Sequence, residues 1–170
     1  MSLMALKHLR LDEVWWLVAT QNPLKPAASM AALTARLNHA RAIACHPRIR
    51  VCTLESQLHT QFTVDTVRTL TRREPGTKFV WLMGADNVVN LPLWRHWARI
   101  FDVLPVAVVA RHDYDSRALT GPVACRFWAY RLPEWRAAAL AKMAPPAWVF
   151  LRVRHHPASA TAIRAHLGPS

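Results

Sequence analysis

The chain has 170 residues, of which 52% are hydrophobic, and this length fits one domain spanning residues 1–170 that buries roughly 70% of the surface of its unfolded chain. This composition excludes a disordered chain, and no apolar run approaches the ~20 residues of a membrane helix, so we expect a cytoplasmic protein with no membrane partner. Subtracting the 10 Asp and Glu from the 22 Lys and Arg leaves a formal net charge of +12, which predicts an anionic partner.

The N-terminal half of the chain predicts helices that alternate with strands. The predicted elements are a helix over 2–10, a strand over 11–18, a proline-broken loop, a helix with Leu33, Leu37, Ala40 and Ala44 on one face, a strand over 49–53, a polar connection over 54–62, and a helix over 63–73 with Thr63 as its cap.

The C-terminal half continues the same alternation. Its predicted elements are a strand over 79–83, a helix over 94–101, a strand over 104–110, a polar loop over 111–122, helices over 123–130 and 134–143 split by Pro133, a strand over 147–153, and a loop leading into a short helix. Because parallel neighbouring strands need crossover helices, five strands in this rhythm predict an α/β fold with a doubly wound parallel sheet.

A glycine and a carboxylate follow the apolar strand over 79–83. Gly84 would let a ligand approach the backbone, and Asp86 could accept hydrogen bonds from ribose hydroxyls at the edge where open α/β sheets bind ligands. A turn glycine followed by an aspartate that caps a helix beginning near Asn87 is the structural alternative.

Two further groups could contact a nucleotide. Trp94 could stack on a flat ring, with core packing as its alternative. Ser159, Thr161 and Arg164 lie in SATAIR at a predicted helix N-terminus, which favours phosphate, although an ordinary capped helix has the same pattern.

Metal and disulfide chemistry have little support in the sequence. Cys45, Cys52 and Cys125 match no structural zinc spacing and form an odd set for disulfides, so we interpret them as reduced thiols that mostly fill the core. The histidines form no metal-binding motif, and no metal-ligating residue is predicted.

The order of the motifs LDEVWWLV, NPLKP, FTVDT, GADNVVNLPLW and SATAIR resembles that of the bacterial nicotinate-nucleotide adenylyltransferases of the HxGH nucleotidyltransferase superfamily. The resemblance covers nearly the whole chain. It implies a Rossmann-like fold of the nucleotidyltransferase type and adenylyl transfer from ATP to nicotinate mononucleotide. It also implies that the products are nicotinate adenine dinucleotide, a precursor of NAD, and pyrophosphate, and that Mg²⁺ bridges the phosphates.

The same resemblance implies roles for individual residues. On the mononucleotide side it implies phosphate neutralisation by Lys25, capture of the nicotinate carboxylate by Phe62 and Thr63, ring stacking by Trp94, and a further contact from Arg111. On the ATP side it implies ribose contacts from Gly84 and Asp86, and phosphate contacts from Ser159, Thr161 and the catalytic Arg164. No side-chain nucleophile is required, so the protein would catalyse the reaction by aligning the two nucleotides and neutralising the charge of their phosphates.

One family motif has no counterpart here. The glycine-rich loop GxFxPxHxGH, whose histidines contact the ATP phosphates, is absent, and alignment on LDEV places Met1 just after it. We therefore expect an N-terminally truncated fold with two inner strands left unpaired, and little activity from the 170-residue form. A start codon assigned too far downstream and a degenerate gene copy both explain this pattern.

Two alternative functions remain open. A basic nucleic-acid-binding protein would use the arginines on phosphates and the tryptophans on bases, but no binding motif or one-sided basic stripe is present. A related enzyme such as phosphopantetheine adenylyltransferase is disfavoured by FTVDT and Trp94. Oligomeric state is left open by the sequence.

Overall fold

The computed structural model describes residues 1–18, 32–111 and 113–152. The α-helices are α1 Ser2–His8, α2 Leu33–Ile43, α3 Leu54–Gln57, α4 Thr63–Arg73, α5 Ala85–Asn90, α6 Ala98–Val103, α7 Asp115–Thr120 and α8 Pro122–Arg126. The strands are β1 Val14–Leu17, β2 Ile49–Cys52, β3 Trp81–Gly84, β4 Val106–Val109, β5 Arg131–Leu132 and β6 Trp148–Leu151. The 3₁₀ helices of these ranges span Leu91–Leu93, Trp128–Tyr130 and Glu134–Lys142. Within these ranges, no helix combines the length and apolar character needed to cross a membrane.

The strands form two parallel sheets. β1 pairs with β2, while the larger sheet has the order β3-β4-β6-β5, and every strand pair is parallel. The predicted α/β fold with parallel strands joined by crossover helices is confirmed. Its strands are shorter than the apolar runs that predicted them.

The four-stranded sheet is covered on both faces. Val106 and Val108 of β4 join one core cluster, to which α4 to α8 contribute, whereas Ala107 and Val109 join a second cluster with α1 and the 3₁₀ helix Glu134–Lys142. Successive side chains of a strand point to opposite faces, so this alternation places helices on both sides of the sheet. The arrangement is the doubly wound, Rossmann-like one.

The two-stranded sheet is less covered. Val14 is buried, but the other residues of β1 and most of β2 are only half-buried. A hydrogen bond from Trp16 Nε1 to Ser2 Oγ (2.8 Å) joins this sheet to α1, and the ion pair between Arg50 Nη2 and Glu13 Oε1 (2.7 Å) joins β2 to the residue that precedes β1.

A cavity of about 930 Å³ lies between the two sheets and is lined by residues of β1, β3 and α4. Within the part of the chain that the structure describes, β1 and β3 each pair with a single neighbour, and both border this cavity. Across it, the rings of Trp15 and Phe79 meet edge to face with centroids 5.7 Å apart. Among the described residues, no strand joins the two sheets.

Several predicted elements were wrong. The polar loop over 111–122 contains α7 and the start of α8, and the polar connection over 54–62 contains α3. The helix over 94–101 begins only at Ala98, because Trp94 has an extended backbone (φ −83°, ψ 141°). The helices over 123–130 and 134–143 are α8 followed by 3₁₀ turns, with the short strand β5 between them.

α2 buries none of its residues, and Cys45 and Cys125 are exposed, so neither cysteine fills the core.

Candidate nucleotide site

The carboxyl edge of the four-stranded sheet brings two predicted site residues together. Gly84 at the end of β3 pairs in register with Val109 at the end of β4, so the segments that follow both strands emerge side by side. Arg111 Nη1 donates to Asp86 Oδ2 at 3.2 Å, and the two side chains are 46% and 26% exposed. A cation and a carboxylate therefore meet at the edge where open α/β sheets bind ligands.

Gly84 makes the Asp86–Arg111 pair possible, because a residue without a Cβ leaves space for both side chains. A Cβ built at this position would collide with Asp86 Oδ1 and would lie 3.2 Å from Arg111 Nε. The backbone of Gly84 has ordinary extended angles (φ −80°, ψ 159°), so the requirement is one of volume rather than backbone conformation. The space is taken up by the chain's own Asp86 and Arg111 side chains, and the approach of a nucleotide to Gly84 stays a prediction.

Asp86 retains an acceptor with no partner. Its Oδ1 is buried and accepts no hydrogen bond from the described residues, although Oδ2 is paired with Arg111. A buried carboxylate oxygen without a donor is costly, and a ligand hydroxyl at this position would supply the missing donor. The alternative, an aspartate that caps a following helix, is wrong, because α5 begins at Ala85 with Gly84 as its N-cap and without a side-chain capping bond.

Arg111 is fixed from the other side by Asp115, a residue that the sequence analysis missed. The backbone N–H of Arg111 donates to Asp115 Oδ1 at 2.6 Å, and the N–H of Tyr114 donates to the carbonyl oxygen of Arg111 at 2.7 Å. Asp115 is the first residue of α7. Because the predicted polar loop contained no helix, nothing in the sequence distinguished this aspartate from its neighbours.

A second group of predicted residues lies at the start of α4. Phe62 is the N-cap, its carbonyl oxygen accepts from the N–H groups of Asp65 and Thr66, and the first N–H groups of the helix have no carbonyl one turn earlier. Thr63 is the first helical residue and makes no side-chain capping bond, so its predicted role as the cap was wrong. These free N–H groups suit an anionic ligand.

Trp94 precedes Arg95, whose guanidinium lies over the Phe62 ring, and packs, like Phe62, against the core cluster that covers one sheet face. The 3₁₀ turn Leu91–Leu93 precedes it, and its N–H donates to the carbonyl oxygen of Leu91 at 2.9 Å. Trp94 remains half-buried, so core packing holds the indole while part of it stays accessible.

Trp97 and Trp94 have different environments. Trp97 meets the Phe127 ring edge to face at 6.1 Å, and the Arg126 guanidinium lies 5.8 Å from its ring centroid. Trp97 is thus packed by its own chain, and it is half-buried against the same core cluster as Trp94.

Arg95 joins the segment that follows the 3₁₀ turn Leu91–Leu93 to the start of α4, and the sequence analysis missed it as well. Its guanidinium carbon lies 4.7 Å from the centroid of the Phe62 ring, within the range of a cation–π contact. Its position directly after Trp94 in sequence was the signal that could have identified it.

Four predicted site residues lie outside the described residues. They are Lys25, Ser159, Thr161 and Arg164. The cavity between the two sheets, in turn, is lined by none of the predicted site residues. Within the described ranges, no group of three His, Cys, Asp or Glu side chains is arranged to hold a metal ion.

Comparison with known proteins places this geometry in a family. The family model of the cytidylyltransferase-like proteins matches residues 2–166. A probable nicotinate-nucleotide adenylyltransferase of Cereibacter sphaeroides is 47% identical over 161 residues, which cover 95% of this chain and 85% of that protein. A protein of the same name from Bradyrhizobium sp. is 45% identical over 163 residues, covering 96% and 85%.

Solved structures agree in fold. The Plasmodium falciparum nicotinic acid mononucleotide adenylyltransferase complexed with NaAD superposes with a TM-score of 0.60 at 15% identity, and its complex with APC superposes with a TM-score of 0.58 at 14% identity. In both comparisons the alignment covers 86% of this chain and 62% of the other. On the strength of the matched family model and these relatives, the chain belongs to the cytidylyltransferase-like family and, within it, to the nicotinate-nucleotide adenylyltransferases.

Proposed function

We propose that this protein transfers the adenylyl group of ATP to nicotinate mononucleotide, giving nicotinate adenine dinucleotide and pyrophosphate. The observation that carries the proposal is the pairing of Asp86 with Arg111 at the carboxyl edge of the four-stranded sheet, with Asp86 Oδ1 buried and unpartnered. The names of the relatives at 45–47% identity support the choice of substrates. A cytoplasmic location agrees with this metabolic role.

The reaction needs no nucleophile from the protein. A phosphate oxygen of the mononucleotide attacks the α-phosphorus of ATP, the new P–O bond forms in line, and the bond to the β-phosphate oxygen breaks to release pyrophosphate. The protein contributes by aligning the two nucleotides and by neutralising their charge.

The pyridine side of the site uses the group around the start of α4. Trp94 stacks on the pyridine ring, while the N–H groups that follow Phe62 and the hydroxyl of Thr63 donate to the nicotinate carboxylate. Arg111 contacts the same nucleotide, and Lys25, outside the described residues, neutralises its phosphate.

The ATP side uses the sheet edge. Gly84 leaves room for the nucleotide, and Asp86 Oδ1 accepts a hydrogen bond from a ribose hydroxyl. Ser159, Thr161 and the catalytic Arg164, also outside the described residues, hold the ATP phosphates. Mg²⁺ enters as part of the ATP substrate, because this ion is usually held by phosphates with few protein carboxylates.

The test measures binding and turnover separately. Calorimetry should show binding of nicotinate mononucleotide that W94A weakens about tenfold or more through lost stacking. L93A is the matched control, because Leu93 is adjacent and 67% exposed. Pyrophosphate release with ATP and Mg²⁺ then reports turnover, which D86A should lower. The proposal fails if neither nicotinate mononucleotide nor its amide binds or reacts, or if D86A and W94A behave like L93A.

Nucleic-acid binding has one specific observation in its favour. Trp128 and Trp135 are 75% and 83% exposed, and the Arg136 guanidinium lies 5.9 Å from the Trp135 ring centroid. Exposed aromatics next to arginines suit single-stranded nucleic acid. Retention on single-stranded DNA that falls steeply with salt, together with an absence of nucleotide binding, would favour this alternative.

A further inference from the structure

The chain itself fills the space over Gly84, where a nucleotide is proposed to approach. A Cβ built on Gly84 would collide with Asp86 Oδ1 and would lie 3.2 Å from Nε and 3.6 Å from Cδ of Arg111. Asp86 Oδ1, the acceptor proposed for a ribose hydroxyl, is buried. A ribose hydroxyl therefore reaches this oxygen only if the side chain of Arg111 moves.

The main chain of Arg111 is fixed, whereas its side chain is held weakly. The backbone N–H donates to Asp115 Oδ1 at 2.6 Å, and the carbonyl oxygen accepts from the N–H of Tyr114 at 2.7 Å. Within the described part of the chain, the guanidinium pairs with one carboxylate, Asp86 Oδ2 at 3.2 Å, and the side chain is 46% exposed. Ion pairs as exposed as this one contribute little to stability. The side chain can therefore swing away about its own torsion angles while the backbone stays in place.

A ribose could replace Arg111 at Asp86 without leaving the carboxylate unpaired. In the observed arrangement Oδ2 accepts from Arg111, and Oδ1 accepts from none of the described residues. Two neighbouring ribose hydroxyls supply two donors, which match the two oxygens of a carboxylate. The exchange would also satisfy the buried oxygen, whose lack of a donor is costly.

We propose that Arg111 closes the ribose position of the ATP site. In the free protein its side chain lies across Gly84 and the Asp86 carboxylate, and the ribose hydroxyls of ATP displace it when they bind. The inference rests on the proposed function, because it concerns the ribose contact of that same site. Its alternative is a permanent pair, in which Arg111 stays on Asp86 in the complex and only orients the carboxylate.

The experiment measures binding of adenosine to the unmodified protein and to R111A by calorimetry. Adenosine carries the ribose hydroxyls but no charge, so the lost charge of Arg111 does not weaken its long-range attraction to the protein. R111A should bind adenosine about twofold to fivefold more tightly, which is the range expected from removing an exposed ion pair that competes with the ligand. A crystal structure with adenosine should show Arg111 displaced from Asp86.

Two further variants test whether the gain comes from this pair. R117A is the matched control, because Arg117 is an exposed arginine of α7 and its removal changes the net charge by the same amount. R117A should leave the affinity for adenosine unchanged. In a D86A background the pair is already absent, so adding R111A should give no further gain. An equal gain in R117A, or the same gain in the D86A background, would overturn the inference.

The outcomes separate this inference from the proposed function. If neither the unmodified protein nor R111A binds ATP or adenosine, the proposed function fails and the inference fails with it. If the unmodified protein binds ATP and R111A gains no affinity for adenosine, only the closing role is wrong, and the permanent pair replaces it. A complex in which Arg111 Nη1 still lies 3.2 Å from Asp86 Oδ2 would lead to the same conclusion. Circular dichroism of R111A checks that the fold is retained.

Discussion

The two parallel sheets of this protein differ in how they are held. β4 and β6 of the four-stranded sheet are buried at every position, with core clusters on both faces, whereas β1 and β2 are mostly half-buried and depend on a few polar contacts. Two residues of the candidate site lie at the edge of the four-stranded sheet, since Gly84 ends β3 and Arg111 follows β4. A rigid sheet edge thus positions the nucleotide contacts, and the smaller sheet lies across a cavity from it.

The largest expected effect is on core stability. Leu151 of β6 is fully buried and Leu17 of β1 is half-buried, so the same truncation can be compared in both sheets. L151A should lower the free energy of unfolding by about 2–5 kcal/mol, because it leaves a cavity in a packed core. L17A, which already borders open space, should cost about 1 kcal/mol. Urea denaturation measures both, and equal losses would contradict the contrast between the sheets.

The next effect concerns the sheet edge. In G84A the added methyl would collide with Asp86, so the Asp86–Arg111 pair must open, with a loss of stability of about 1–3 kcal/mol and weaker nucleotide binding. G76A is the matched control, because nothing lies within 4 Å of an added Cβ there. It should change stability by less than about 0.5 kcal/mol. Unchanged nucleotide affinity in G84A would contradict the assignment of this edge as the site.

The smallest effect tests the polar contacts of the smaller sheet. The hydrogen bond from Trp15 Nε1, followed by the charge of Arg50, holds the pKa of Glu13 below its usual value of 4.5, although partial burial opposes this. A lowered pKa means that the ionised carboxylate stabilises the fold above pH 4.5 and that this contribution disappears as the pH falls through the folded-state pKa.

E13Q should therefore melt at a lower temperature than the unmodified protein at pH 7, and the difference should shrink at pH 3. Thermal denaturation at both values checks this, and high salt should also reduce the difference, because the side chains of Arg50 and Glu13 are 62% and 32% exposed. If the difference in melting temperature grew on acidification, the ionised carboxylate of Glu13 would not stabilise the fold, which would contradict this account.

Local patterns predicted most of the fold. The helix over 63–73 has the predicted bounds in the structure, because its apolar period is regular and Glu74, Pro75 and Gly76 end it. The apolar runs located all the strands except β5, but each run was longer than its strand, since hydrophobicity extends past the last ladder hydrogen bond. α7, α8 and the 3₁₀ turns were missed or misplaced because their sequences are short and lack a clear period.

The candidate site was predictable in part. Gly84 and Asp86 followed from the end of a buried strand, whereas the partner of Asp86 depends on the register between β3 and β4, which the sequence does not encode locally. Asp115 and Arg95 act through contacts formed only in the folded chain. The resemblance supplied Phe62, Thr63 and Arg111, for which local patterns gave no independent signal.

The most direct measurement of the central claim is a crystal structure of the protein with nicotinate mononucleotide. We predict the pyridine ring against Trp94, with its carboxylate at the start of α4. A mononucleotide bound instead in the cavity between the two sheets, or against Trp128 and Trp135, would contradict this account.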